Sequence, residues 1–190
     1  MSAVRALRAD AQRNRDAILS AARDTFDEEG VLASLDGIAL RAGVGNATLY
    51  RNFPTRDDLL AAVMQINIDE AVSDADELLA TLGPRNALAE WLFRLTWQLR
   101  IWHDLPYCVA TAHADPDSTV TSAVSPLVTR TGILLDEAKS TGDVDAHVTA
   151  DEVYELALTL SWGVDRFQDD ERTARRRVSV ATAGLYARNE

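Results

Sequence analysis

Residues 42–60 read AGVGNATLYRNFPTRDDLL. Two glycines, two amides, a threonine, a tyrosine and an arginine crowd into a run that stops at Pro54 and restarts, after Arg56, as an acidic, leucine-rich segment. Asn46 is placed to open a helix running to Phe53. That is about two turns, shorter than the roughly 12–15 residues an isolated helix needs in water. Packing has to hold it, and Leu49 and Phe53 supply one apolar side. The other side carries Asn46, Thr48, Tyr50, Arg51 and Asn52.

The flanks complete the unit. Ser34 can cap a helix over 35–42 with Leu35, Ile38 and Ala39 inward, and Asp36 in its first turn suits the helix dipole. Gly43 permits a turn at positive φ, and Val44 plugs the gap. Two short helices joined by Ala42-Gly43-Val44 read as a helix-turn-helix. In that arrangement the second helix enters the major groove of DNA and the first crosses the backbone. Arg51 can fork onto guanine or grip a phosphate. Asn46 and Asn52 can pair an adenine edge or reach phosphate. Thr48 and Tyr50 offer hydroxyls to phosphate oxygens, which set register without reading sequence. Ala47 suits a thymine methyl. Arg56, the backbone N–H groups that follow it, and Ser34 make candidate phosphate seats.

Working outward, Ile18, Ala21, Ala22, Thr25 and Phe26 mark one face of a helix over about 14–29, with Gly30 as its stop. Residues 1–12 are expected to be a flexible arm, with Arg5 and Arg8 as minor-groove candidates. Thr55 can cap a long helix over 56–81, ended by Gly83-Pro84. Helices are expected over about 85–104, stopping before Pro106, and over 120–141, where Pro126 should kink the helix or move its start. Two more are expected over 151–167 and from about 168 to 187. No period-two strand pattern is present, so the fold class is all-α: a three-helix DNA-binding unit (13–56) ahead of a helical regulatory and dimerisation domain (57–190).

The net charge of −11 argues against a nucleic-acid partner only if it is spread evenly. Residues 1–56 hold eight arginines and seven acids, net +1, whereas residues 57–190 hold 11 basic and 23 acidic residues, net −12. One end tolerates a polyanion and the rest repels it. No run is long and apolar enough to span a membrane, and the N-terminus has no signal-peptide core, so a cytoplasmic location is expected. One cysteine, Cys108, permits no internal disulfide and reads as a buried inert thiol.

The stretch SLDGIALRAGVGNATLYRNFPTRDDLL, residues 34–60, resembles the DNA-binding signature of TetR-family transcriptional regulators. The resemblance rests on the small-residue turn, the Thr48-Leu49-Tyr50 trio, the aromatic Phe53 before the linker, and the basic residue opening the next helix. It covers roughly residues 13–60. It implies an all-α homodimer binding a palindromic operator, most often as a repressor released by a small-molecule effector. DNA contacts implied by the resemblance fall on Ser34, Gly45, Asn46, Ala47, Thr48, Tyr50, Arg51, Asn52 and Arg56. Gly37 departs from the pattern inside a helix, where it costs up to about 1 kcal/mol relative to Ala. Arg56 stands where a lysine is common.

The acidic body resembles the family less specifically. An effector pocket is expected to be mostly apolar with a few placed polar groups, and Trp91, Leu95, Trp102, His103, Tyr107 and Trp162 are the candidate lining. An aromatic stripe at helical spacing is also what a plain core shows. His103, His113 and His147, with Asp115 and Asp117, match no metal-ligand spacing, so no metal is expected. No cofactor and no catalytic residue are expected either, since no nucleophile elbow, phosphate loop or zincin pattern occurs. Apolar strips on the last two helices, including Val178, Ala181, Leu185 and Tyr186, suggest a four-helix dimer interface. The arginine run 175–177 reads as a solvated face or a partner for acids. The competing reading is a small-molecule-binding or sequestering helical protein with a vestigial DNA unit.

Overall fold

The computed structural model describes the backbone of residues 2–186 and the side chains of residues 9–186. Among these, nine α-helices and one 3₁₀ turn form the whole architecture, and the only bridge is an isolated one between Val144 and Tyr186. Among the described residues no helix is long and apolar enough to cross a membrane.

Helix α1 spans Ser2–Glu29, so no helix start occurs near residue 13 and the expected arm boundary is absent. The sequence explains this. Residues 2–29 contain no Gly or Pro and carry alanines at 3, 6, 9 and 11, strong helix formers. An Asp10–Arg13 ion pair and a Gln12–Asp16 hydrogen bond add support at helical spacing. The side chains of Arg5 and Arg8 lie outside the described residues. Ile18, Ala21, Ala22, Thr25 and Phe26 are buried, as their spacing requires.

Helix α2 (Leu35–Arg41) starts where Ser34 caps it, the Ser34 hydroxyl accepting from the Gly37 N–H at 3.4 Å. A Cβ added at Gly37 would meet Ser34 Cβ at 3.7 Å, an ordinary contact; nothing within the chain explains the glycine. Helix α3 (Asn46–Asn52) follows the turn in which Gly43 takes φ +69°. Helix α4 (Arg56–Thr81) opens on a full capping box, with Thr55 and Asp58 each satisfying the other's backbone N–H. The Thr55 hydroxyl and N–H hold the Asp58 carboxyl below its ordinary range.

Helix α5 (Pro84–Gln98) ends six residues before the expected stop. An elbow, residues 99–104, turns the chain through Asp104 at φ +63° into α6 (Leu105–His113), which pattern reading did not anticipate. Pro106 does not act as the terminator its position suggests. It lies in the first turn of α6, where its missing N–H costs nothing. Helix α7 (Thr119–Ser140) carries Pro126 internally. Proline removes the N–H that would bond the Ser122 carbonyl, and the Ser125 hydroxyl donates to that carbonyl at 3.0 Å instead. Helices α8 (Ala150–Arg166) and α9 (Glu171–Thr182) complete the body, followed by the 3₁₀ turn Ala183–Leu185.

The packing is one continuous apolar core. Helix α1 holds α2, α3 and the start of α4, while α4 lies along α7 and α5. Helix α5 is surrounded by α4, α7, α8 and α9.

Candidate nucleic-acid interface

Helix α3 is propped as its length demands. Leu49 and Phe53 are each 1 % exposed. Arg15 of α1 lies over the Phe53 ring, 4.4 Å from its centroid, and its guanidinium donates to the Asn52 carbonyl at 3.5 Å. A cation at a helix C-terminus suits the dipole. Sequence spacing gave no hint of this brace, which joins residues 37 positions apart.

The opposite face is open. Gly45, Asn46, Ala47, Tyr50 and Arg51 are exposed, and Thr48 and Asn52 are half-buried. Two amides already have partners: Asn46 donates to the Asp36 carboxylate at 2.8 Å, and Asn52 to the Thr48 carbonyl at 2.8 Å. Asp36 therefore stands beside the start of α3 and orients Asn46, a role that its place in the first turn of α2 does not reveal. Arg51 is exposed and has no ion pair or hydrogen bond among the described residues. Arg41 is committed to Glu28 through two hydrogen bonds of 2.7 and 2.6 Å, and its guanidinium holds the Glu28 carboxyl below its ordinary range.

Ser34 is exposed, with its hydroxyl serving as the α2 cap. Arg56 has a partner within the fold. Its guanidinium donates to the Val31 carbonyl at 2.7 Å and is half-buried, so it staples the α1–α2 turn to the start of α4.

That turn meets the α5–α6 elbow. The Val31 N–H donates to the His103 carbonyl at 3.1 Å. The Trp102 indole donates to Asp27 at 2.6 Å and meets Phe26 edge-on at 5.6 Å. Gly30 sits at φ +82°, where an added Cβ would lie 3.0 Å from the His103 carbonyl oxygen. On its far side the elbow is tied to α8. His103 Nδ1 lies 3.2 Å from Asp165 Oδ1, and Arg166 pairs with Asp104. A single turn thus touches both the α1–α2 turn, which leads into α2, and α8.

The candidate effector residues separate. Trp91 is buried with its indole donating to Thr131 at 2.9 Å, a core position. Trp102 is buried at the elbow. Leu95 borders only a void of about 20 Å³, too small for an effector. Trp91 and Leu95 are buried where α4, α7, α8 and α9 pack around α5, and Trp102 is buried in the elbow against α1. His103 belongs to the elbow network. Tyr107 and Trp162 do come together, across a groove of about 430 Å³ between α6 and α8. Ala110 and His113 on α6 and Glu155 and Thr159 on α8 share it. His113 Nε2 lies 3.3 Å from Glu155 Oε1. Behind His113, Tyr154 is fully buried with no partner for its hydroxyl among the described residues, and burial pushes that phenol well above its ordinary range. Burial also pushes the Cys108 thiol up, as an inert thiol requires.

His103, Asp104 and Asp165 place possible metal-ligand atoms within 4.8 Å of one another. Arg166, paired with Asp104 and 3.4 Å from His103 Nε2, supplies the cation there. In the arginine run, Arg175 pairs with Glu90 and Arg177 with Asp169, so both serve as acid partners. Of the residues expected at a dimer face, Val178 is buried within the chain. Ala181 is exposed, and Leu185 and Tyr186 are half-buried. Phe167 at the end of α8 and Val180 on α9 remain exposed, and Leu156 and Leu160 on α8 are half-buried.

Comparison with known proteins gives a consistent picture. Residues 18–63 match the profile described as bacterial regulatory proteins, tetR family. Residues 83–187 match the C-terminal domain of SbtR-like transcriptional regulators. An HTH-type transcriptional regulator of Staphylococcus aureus is 44 % identical over 64 residues, 33 % of this chain and 35 % of that protein. The chain thus spans about a third of the length of the curated relatives it matches. A TetR transcription regulatory protein from Mycobacterium vanbaalenii is 32 % identical, with 95 % of this chain and 99 % of that one covered and a TM-score of 0.51. The FadR repressor of Thermus thermophilus, solved with lauroyl-CoA, shares the fold at 17 % identity, with 93 % and 97 % covered and a TM-score of 0.62.

Proposed function

This chain belongs to the TetR family of bacterial transcriptional regulators, not to an enzyme family, and we propose that it acts in the cytoplasm as a homodimeric repressor released from a palindromic operator by a small-molecule effector. The observation that carries this reading is the division of α3. Leu49 and Phe53 are locked inward, while Arg51, Tyr50 and Ala47 face solvent on a helix too short to stand alone.

In the proposed complex α3 lies in the major groove. Arg51 reads a base edge, and Asn46, already oriented by Asp36, contacts the duplex at the start of α3. Thr48, Tyr50, Asn52, Ser34 and the Gly45 and Ala47 backbone set register on phosphates and sugars. Arg56 has a different part: its bond to Val31 fixes the angle between the helix-turn-helix and α4. Phe167 and Val180, left exposed at the end of α8 and on α9, with Leu156 and Leu160, support dimerisation through the last two helices. A dimer would hold two α3 helices about 34–36 Å apart, or at a multiple of that spacing.

An effector lowers DNA affinity only by favouring a different spacing of the two α3 helices, and DNA then lowers effector affinity by the same factor. The α6–α8 groove is the proposed effector site, with Tyr107 and Trp162 as its aromatic members. Movement of α6 reaches the DNA unit through the elbow, the Val31–His103 bond and the Arg56 staple, alongside the continuous α4. The test is to select bound fragments from genomic DNA and measure affinity by gel shift. Tight, salt-sensitive, sequence-selective binding by the dimer is expected. Failure to prefer any fragment over random duplex at low salt would contradict the reading.

A further inference from the structure

We infer that the α6–α8 groove accepts an organic cation with an aromatic or otherwise apolar body. Two aromatic rings flank the opening, Tyr107 at 54 % and Trp162 at 48 % exposure. Tryptophan and tyrosine faces are good neutral acceptors for a cation. Lysine and arginine are absent from the residues that border the groove. Its acid and base are Glu155, whose side chain is 58 % exposed, and His113, which is tied to it. Ala110 and Leu158 give the floor an apolar surface for the ligand's body.

The rest of the molecule reinforces the sign. Residues 57–190 carry a net charge of −12, and such a field concentrates cations in a cleft and excludes anions. Arg166 Cζ, held by Asp104, already lies 6.0 Å from the Trp162 centroid, at the outer limit of a cation–π contact. A carboxylate or phosphate ligand would face Glu155, with His113 as the one lining residue able to carry a positive charge and Arg166 outside the lining, committed to Asp104. A volume of about 430 Å³ suits a body of one or two rings.

This inference rests on the groove being the effector site, and two kinds of measurement keep the two ideas separable. Binding is measured by calorimetry on the full chain, with phenyltrimethylammonium as cation and benzenesulfonate as an anion of similar size. The cation is expected to bind and the anion not to. Glu155→Gln and Trp162→Leu, both exposed positions, are each expected to weaken the cation about three- to thirtyfold. Equal binding of both ions, or unchanged cation binding in Glu155→Gln, overturns the inference. So does a Trp162 that resists acrylamide quenching in the dimer, since a second copy would then cover the groove. Adding the cation to the DNA complex tests the other idea. Cation binding that leaves the complex intact upholds the ligand class and overturns the effector role.

Discussion

Replacing Gly30 with alanine tests the contact between the DNA unit and the body most sharply. Two costs apply. The backbone sits at φ +82°, where an L-residue loses roughly 1–2 kcal/mol. The new Cβ would also lie 3.0 Å from the His103 carbonyl oxygen and 3.2 Å from its Cβ. That carbonyl cannot yield freely, because it accepts the Val31 N–H and the neighbouring Trp102 is anchored to Asp27. Overpacking of this kind costs about 1–3 kcal/mol, and the two costs together give about 2–5 kcal/mol. The control is Gly43→Ala. It has the same backbone problem at φ +69° but nothing within 4 Å of the added carbon, so about 1–2 kcal/mol is expected. Urea denaturation of both variants isolates the steric part, and Gly30→Ala should exceed Gly43→Ala by at least about 1 kcal/mol. Equal losses would mean that the elbow does not press on the α1–α2 turn, and the route from groove to DNA would lose its central contact.

Other expectations follow from individual contacts. Arg56→Ala should destabilise the chain by about 1–2 kcal/mol, through a charge-assisted bond to the Val31 carbonyl, and should leave the salt slope of DNA binding nearly unchanged; a slope reduced by about one unit would return Arg56 to the phosphates. Tyr154→Phe removes a buried hydroxyl without a partner, so thermal stability should hold steady or rise by up to about 1 kcal/mol; a clear loss would mean the hydroxyl is bonded. Asp58 has a lowered pKa in the folded state, so its contribution is present above the unfolded carboxylate value and is lost as pH falls through the folded one. Acid titration of Asp58→Asn should therefore show a shallower loss of stability below about pH 4 than the parent, and parallel curves would refute that linkage.

Much of the DNA unit was legible because local chemistry fixes it. Ser34, Gly43 and the Pro54-Thr55 stop punctuate α2, α3 and α4, and α4 begins and ends where its caps place it. Absence of punctuation misled at the other end, where unbroken good helix formers carry α1 back past residue 13. Proline was ambiguous in two opposite ways. Pro106 starts a helix and Pro126 sits within one, excused by the Ser125 hydroxyl. Periodicity found the apolar side of α5 but could not say what covers it, so Trp91 and Trp102 went to the core while Tyr107 and Trp162 met across a groove. The elbow was invisible for a similar reason, since the Trp102–Asp27 bond joins positions 75 residues apart. Arg56 shows the limit of reading roles from residue type: its charge fits a phosphate, yet the fold gives it a carbonyl.

The measurement that bears most directly on the account is the affinity of the parent and of Arg51→Ala for a genome-selected operator and for its scrambled counterpart at fixed salt. Arg51 is exposed on α3. The account predicts a loss of about 1–3 kcal/mol on the operator and a much smaller one on the scrambled duplex. Equal losses on both, or no preference by the parent for any duplex, would contradict it.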